Sequence, residues 1–326
     1  MIVSVSITLI LIISLIIDIL CGDPRNRYHP VAWIGKMTKY FIPKLKIDKD
    51  DKKEFEKKRG TVFTVFFVLS SVILIHLSLS FLCHYYYFIF FIVSVYLLYS
   101  SISIKNMENH INMIVDALRK KDIIAARKKL SMIVGRDTKD LEEQHVISGA
   151  IESVAESTVD GIISPIFYFS IFGSSGAFVF RIINTLDSMI GYRDNYFIDI
   201  GWMAAKFDTF ANYIPARLTS IFIIVASFFI KANWKNSIKI LKSDRHETPS
   251  LNSGYPMSAM AGALNVRLEK INFYQIGIPA EQLTVEKCKV AIKIMKIAVV
   301  LFCLSVSIPF ILLLGLVKWW NILFGI

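Results

Sequence analysis

Apolar residues run along this chain in long blocks separated by polar stretches. A helix needs about 20 mostly apolar residues to cross a bilayer. Residues 2–20, 61–82, 86–104 and 290–317 meet that length, and 213–230 is a fifth segment. Residues 162–183 are as apolar, but they open on Ser164-Pro165 and carry Gly173-Ser174-Ser175-Gly176 in the middle. Two forms stand open for that stretch: a full span, or two half-helices re-entering on the same side. Between 105 and 160 the pattern becomes that of soluble helices. Asp122 is placed to cap a short basic helix through Leu130, and Asp140 with Glu143 resembles a capping box opening a helix to about Val159. The predicted fold class is therefore all-α, a polytopic helical membrane protein with amphipathic cytoplasmic helices and a broken or re-entrant helix. Residues 1–326 are read as one membrane-embedded unit with a polar helical insert at 105–160 and a polar loop at 231–289.

Composition supports this class, for 54% of the 326 residues are hydrophobic and the mean hydropathy is +0.53. The net charge of +11 invites a nucleic-acid reading, but no RNA- or DNA-reading motif is present. In a membrane protein, Lys and Arg collect in cytoplasmic loops. Residues 21–60 hold twelve of them and are placed in the cytoplasm, which leaves the N-terminus outside. Residues 105–160, with nine, and the loop 231–289 prefer the same side. The stretch from Arg181 to Asn212 has only Arg181, Arg193 and Lys206 against four acids, so charge leaves its side open. Residues 49–59 read as a solvated charged loop touching anionic headgroups. The first apolar run has no Lys or Arg ahead of it and no small-residue cleavage site, so it is taken as a retained segment whose Asp18 faces a polar interior. Cys21, Cys83, Cys288 and Cys303 are scattered and indicate neither a zinc site nor a disulfide framework.

Chemistry concentrates in a few places. Glu152, Glu156 and Asp160 recur every four residues and fall on one helix face. Like charges at that spacing oppose the helix by a few tenths of a kcal/mol per pair. A Mg²⁺ ion or a basic ligand would offset that repulsion, and a solvated acidic face is the plain alternative. Asn184, Asp187 and Ser188 share a second face, with Tyr192 a further turn along, and Asp208 with Asn212 form another pair before Pro215 and Arg217. Such groups beside membrane spans need mutual hydrogen bonds, so a purely structural network competes with a catalytic one. Asn252-Ser253-Gly254-Tyr255-Pro256 reads as a turn, and residues 258–264 are small enough for close helix approach. No phosphate loop, dinucleotide fingerprint, H-E-x-x-H or G-x-S-x-G occurs.

Taken in order, several motifs resemble one family. They are Gly22-Asp23-Pro24 with His29-Pro30, the run from Glu152 to Gly161, Asn184-Thr185-Leu186-Asp187-Ser188-Met189, Gly201-Trp202, Pro215-Ala216-Arg217 and Ala259-Met260-Ala261-Gly262-Ala263-Leu264. Together they are similar to the CobD/CbiB family of cobalamin biosynthesis, the adenosylcobinamide-phosphate synthases. Ser157, Ser253 and Glu269-Lys270 depart from the residues usual there. The resemblance implies a multi-pass enzyme of the cell membrane that joins aminopropanol or its phosphate to a propionate carboxylate of adenosylcobyric acid as an amide, consuming ATP. It implies ATP and Mg²⁺ as co-substrate and ion, and other late enzymes of cobalamin biosynthesis as further partners beside membrane lipid. Under it, Glu152, Glu156 and Asp160 would handle metal and phosphate, while Asp187 with Asn184 would orient carboxylate or amine. Arg217, Arg136 and Arg193 would bind phosphate, and Tyr192, Asp208, Asn212 and Asn252 would line the substrate. A non-enzymatic sensor of the AmpE type shares the architecture, and a corrinoid transporter is a third reading that predicts an internal repeat the sequence lacks.

Cytoplasmic substrates require the 184–212 stretch on the cytoplasmic side. A cysteine placed at Asn195, with the native thiols removed, is expected to react with an impermeant thiol reagent in inverted vesicles and not in intact cells. Labelling from outside intact cells would overturn this topology.

Overall fold

A computed structural model describes residues 2–25, 27–46, 52–192 and 194–325. Helices α1 (Ile2–Cys21), α2 (Pro30–Leu45), α3 (Lys52–Tyr85) and α4 (Tyr87–Tyr99) open the chain. Next come α5 (Ile104–Arg119), α6 (Ile123–Leu130) and α7 (Glu143–Thr158), which continues through a π-helical turn, Val159–Ile163, into α8 (Ser164–Ile190). Helices α9 (Trp202–Ala211), α10 (Tyr213–Phe229), α11 (Trp234–Asp244) and α12 (Gly254–Leu264) lead to an antiparallel hairpin of β1 (Leu268–Lys270) and β2 (Tyr274–Ile276). The chain closes with α13 (Val285–Phe302), a second π-helical turn at Cys303–Ser307, α14 (Ile308–Leu316) and α15 (Trp319–Phe324).

Among the described residues, five helical stretches are long and apolar enough to cross a membrane: Val3–Cys21, Lys53–Tyr85, Tyr87–Arg119, Glu143–Ile190 and Val285–Leu316. A sixth is formed if α9 and α10 count as one bent span. The protein is thus a polytopic helical membrane protein. Helix α3 shows why: Phe66, Leu69, Ile73, Leu74 and Leu77 are all exposed, an apolar surface suited to lipid rather than water. The charged loop expected at 49–59 is helical from Lys52 onward and simply extends α3, while residues 47–51 lie outside the described set. Asp122 caps α6 as expected, its carboxylate accepting from the Ala125 N–H at 2.9 Å. The capping box does not form: α7 begins at Glu143 itself, after Lys139 and Asp140 have turned. Likewise the turn expected through Pro256 ends early, because Gly254 already starts α12 and a proline is tolerated in a first helical turn.

The chain divides into two compact units, one of Met1–Ile102, Ser164–Ala211 and Ser307–Ile326, the other of Ser103–Ile163 and Asn212–Val306. In the first, Ile34, Val68, Phe178, Ile182, Leu186, Ile190 and Ala204 form a core where α2, α3, α8 and α9 meet. Helix α8 breaks at Gly173, whose φ of 65° and ψ of −158° suit a residue without Cβ; this is the break expected within the Gly-Ser-Ser-Gly run. The Gly201-Trp202 motif has a packing cause. The backbone of Ile200 and Gly201 is wedged so closely that a methyl on Gly201 would overlap the Ile190 carbonyl, and one on Gly60 the Ile200 carbonyl. In the second unit, α7 packs on α5, α12 and α13, and α11 lies along α12. The small residues of α12 permit that approach, for the Ser237 hydroxyl donates to the Ala259 carbonyl at 2.6 Å.

Two outcomes follow from the first unit. Gly201→Ala pushes one backbone on another, which cannot swing aside, and is expected to cost at least about 1–3 kcal/mol as overpacking; Gly35→Ala, inside α2 with nothing within 4 Å, is expected to stabilise by about 0.5–1 kcal/mol through helix propensity. Equal thermal midpoints for the two variants in detergent would contradict the wedge. The second outcome concerns His29, which precedes α2: burial, with the Arg181 cation as a second cause, lowers its pKa from 6.5 to about 4. Between those values the unfolded chain takes a proton that the fold refuses, so stability falls as pH drops from 6.5 towards 4. His29→Gln should flatten that acid limb in a series of melts, and an unchanged slope would contradict it.

Candidate functional site

Every residue from Val146 to Ala155 on α7 is buried, a run of small, apolar and hydroxylated side chains that suits a helix covered on all sides. Glu152 sits in the middle of it at 5% exposure. A lone carboxylate there would cost several kcal/mol, and three hydrogen bonds and an ion-pair contact offset that cost. Arg136 approaches it as a fork, Nη1 at 3.2 Å from Oε2 and Nη2 donating to Oε1 at 3.3 Å. The Ser148 hydroxyl, one turn earlier, donates to Oε1 at 2.7 Å, and the Tyr274 hydroxyl to Oε2 at 2.8 Å. Gly149 makes room for the fork, because a methyl in its place would overlap Arg136 Nη2. The hairpin delivers the tyrosine: Tyr274 pairs with Lys270 in register, and the Glu269 N–H donates to Ser148 Oγ at 2.8 Å. Burial first, and then the Glu152 charge, raise the Tyr274 phenol well above its ordinary pKa, so it stays protonated and acts as a donor.

Glu156 lies one turn further along α7 and is exposed, with Glu152, Lys270 and Arg136 as the charges acting on it. Asp160 falls in the π-helical turn and is half-buried. The three carboxylates were expected to share a Mg²⁺ ion. Glu152 does not fit that role as placed, since both its oxygens are directed at protein donors, the setting of a bound anion. Among the described residues no group of three or more His, Cys, Asp or Glu could hold a metal ion.

In the first unit, Asn184 on α8 is buried and bridges two charges, its Oδ1 accepting from Arg181 at 3.3 Å and its Nδ2 donating to Asp208 Oδ1 on α9 at 3.2 Å. Asp187 is half-buried on the same helix, and its carbonyl accepts from the Gly191 N–H at 2.6 Å. Tyr192 was expected one helical turn beyond Ser188, but α8 stops at Ile190 and Tyr192 is an exposed loop residue with its ring 5.9 Å from Phe197. Arg193 lies outside the described residues. In the second unit, Arg217 on α10 is sandwiched between the rings of Tyr213 and Tyr255, 3.5 and 4.2 Å from their centroids, and donates to Asn252 Oδ1 at 3.3 Å. A guanidinium covered on both faces keeps its N–H groups in one plane. Asn212, just before α10, is 1% exposed.

Sequence reading missed Ser148, Lys270 and Tyr274. The available signal was Asn272, a turn former between Leu268 and Ile276, which marks a hairpin in what was read as a polar loop. A cavity of about 560 Å³ in the first unit is mostly apolar, walled by Phe172, Val179, Phe180 and Phe207 with His76 among its lining.

A family model described as CobD/Cbib protein matches residues 11–302. The chain is 37% identical over 302 residues to the "Probable cobalamin biosynthesis protein CobD" of Methanothermobacter thermautotrophicus, covering 91% of this chain and 96% of the relative. It is 38% identical over 287 residues to the "Cobalamin biosynthesis protein CobD" of Clostridium perfringens, covering 87% and 89%. The relative from Methanocaldococcus jannaschii, again named probable cobalamin biosynthesis protein CobD, is 34% identical over 304 residues. No solved structure matches. Matched almost from end to end by the family model and by relatives well above 30% identity, the chain belongs to the CobD/Cbib family.

Proposed function

We propose that this protein is a membrane-bound biosynthetic enzyme of cobalamin biosynthesis that forms an amide. It would join aminopropanol or its phosphate ester to a propionate carboxylate of adenosylcobyric acid, with ATP consumed and the site facing the cytoplasm where those substrates are. Family membership supports the pathway, and the carboxylate pair on α7 carries the reaction class: Glu152 fixed by Arg136, Ser148 and Tyr274, with Glu156 at the helix surface one turn on.

A carboxylate does not acylate an amine in water, so it must first be activated. A propionate oxygen attacks the terminal phosphorus of ATP, the bond to the ADP oxygen breaks, and an acyl phosphate results. The free amine then attacks the acyl carbon, the carbon–oxygen bond to phosphate breaks, and inorganic phosphate leaves. The amine arrives as an ammonium ion and must lose protons on the way to the amide. Exposed Glu156 is suited to attract that cation and to take its proton. Lys270 and Arg136, the cations beside Glu156, suit the phosphate charge that develops as the acyl phosphate forms and collapses. Buried Glu152 is a positioning residue, orienting the Arg136 fork rather than touching substrate. Magnesium would enter on the nucleotide, with Glu156 and Asp160 as its nearest protein carboxylates.

The test is to supply membranes containing the protein with adenosylcobyric acid, ATP-Mg²⁺ and either aminopropanol or aminopropanol phosphate, and to look for the amide by mass spectrometry. Product is expected with one of the amines, and none with both would overturn the reading. Glu156→Ala should lower the rate by about 10²–10⁴-fold, the usual range for losing a general base. A near-normal rate in that variant would remove Glu156 from the chemistry.

A further inference from the structure

A second cavity in the same unit is built from α6 and the loop that follows it. Its volume is about 380 Å³, within the size range of small-ligand pockets. Arg127, Lys128, Arg136 and Lys139 line it, together with Ser131 and one acid, Asp137. The acid is engaged locally, accepting from the Lys139 N–H at 3.0 Å. Arg127 spends its Nε on the Leu141 carbonyl at 2.7 Å, which fixes the guanidinium at the wall. Lys128 and Lys139 are exposed, and Arg136 Nε is buried without a hydrogen-bond partner. Even with Asp137 in the wall and Glu152 behind Arg136, cations outnumber acids around this concave space, and the local field concentrates anions there. Arg136 links this pocket to the carboxylates, since its other nitrogens hold Glu152.

We propose that this pocket binds the polyphosphate of the nucleoside triphosphate, with Lys128 and Lys139 as its mobile clamps and Arg127 and Arg136 as its fixed donors. The placement rests on the ATP-dependent reading above and gives it a location. Polyanion on one side of Arg136 and carboxylate chemistry on the other is the arrangement that phosphorylation of a carboxylate needs. The mechanism is charge matching rather than a nucleotide fold: ammonium groups neutralise phosphate as point charges, and guanidinium groups hold it by paired N–H donors.

The experiment uses the purified full-length protein in nanodiscs of neutral phosphatidylcholine, with ATP binding measured by titration calorimetry in the absence of corrinoid. Saturable binding is expected, inorganic tripolyphosphate should compete with it, and Lys128→Ala/Lys139→Ala should weaken it at least tenfold. Lys235→Ala/Lys239→Ala, an equal loss of exposed charge on α11, should leave it unchanged. Wild-type affinity in the Lys128/Lys139 variant would overturn the proposal, as would absence of competition by tripolyphosphate. Displacement of ATP by phosphatidylglycerol in the disc would overturn it too, marking a lipid headgroup site. The two readings fail separately. Tripolyphosphate binding that depends on Lys128 and Lys139, with no amide formed by the wild type, sinks the ligase and leaves the pocket; amide formation unaffected by the double variant does the reverse.

Discussion

Burial of the Glu152 carboxylate inside α7 is the constraint that organises the functional unit. One charged group in the middle of a covered helix is tolerable only if every oxygen lone pair finds a donor, and each donor comes from a different piece of chain: Ser148 from the helix itself, Arg136 from the loop after α6, Tyr274 from the hairpin. Segments more than a hundred residues apart are thereby held in one register. Gly149 is part of the same arrangement, because the guanidinium passes over the helix where any side chain would block it. Glu156 therefore projects from a helix whose rotation is fixed, so its position is set by the buried carboxylate one turn earlier.

The same principle appears in a different form in the first unit. There Asn184 stands between Arg181 and Asp208, and an amide that donates on one side and accepts on the other joins cation to carboxylate. Backbone packing fixes the surrounding frame, with Ile200 and Gly201 held between α3 and the end of α8. Residues around this cluster therefore divide into two kinds. Asn184 and Asp208 carry polar contacts, whereas Gly60 and Gly201 exist to let carbonyls approach.

How much of this was legible depended on the range of the signal. Apolar run length located the spanning helices but not their ends: the helices expected at 61–82, 86–104 and 162–183 run on through polar residues as Lys53–Tyr85, Tyr87–Arg119 and Glu143–Ile190, and 213–230 reaches span length only together with α9. The Gly173 break announced itself through the Gly-Ser-Ser-Gly run, a local property of the chain. The acidic spacing on α7 was equally visible, but its meaning was not. Three carboxylates at four-residue intervals looked like a cation site, and only the positions of Arg136 and Tyr274, distant in sequence, show that Glu152 receives donors instead. Tyr192 was misplaced for a similar reason: the helix ends at Ile190, where the chain meets the Gly201 backbone, and periodicity does not register such a tertiary contact. The basic pocket went unnoticed because Arg127, Lys128, Arg136 and Lys139 read as an orientation signal for a cytoplasmic loop, and their convergence needs the turn after α6.

The central claim is that Arg136 and Glu152 act as one buried unit. A double-mutant cycle on thermal or denaturant stability, using Arg136→Ala, Glu152→Gln and the pair together, measures it directly. Removing the arginine alone leaves a buried charge and is expected to cost about 3–5 kcal/mol, while neutralising the glutamate in the same protein should restore a large part of that loss. Effects that simply add, to within about 0.5 kcal/mol, would show that the two side chains are independent and would contradict the account.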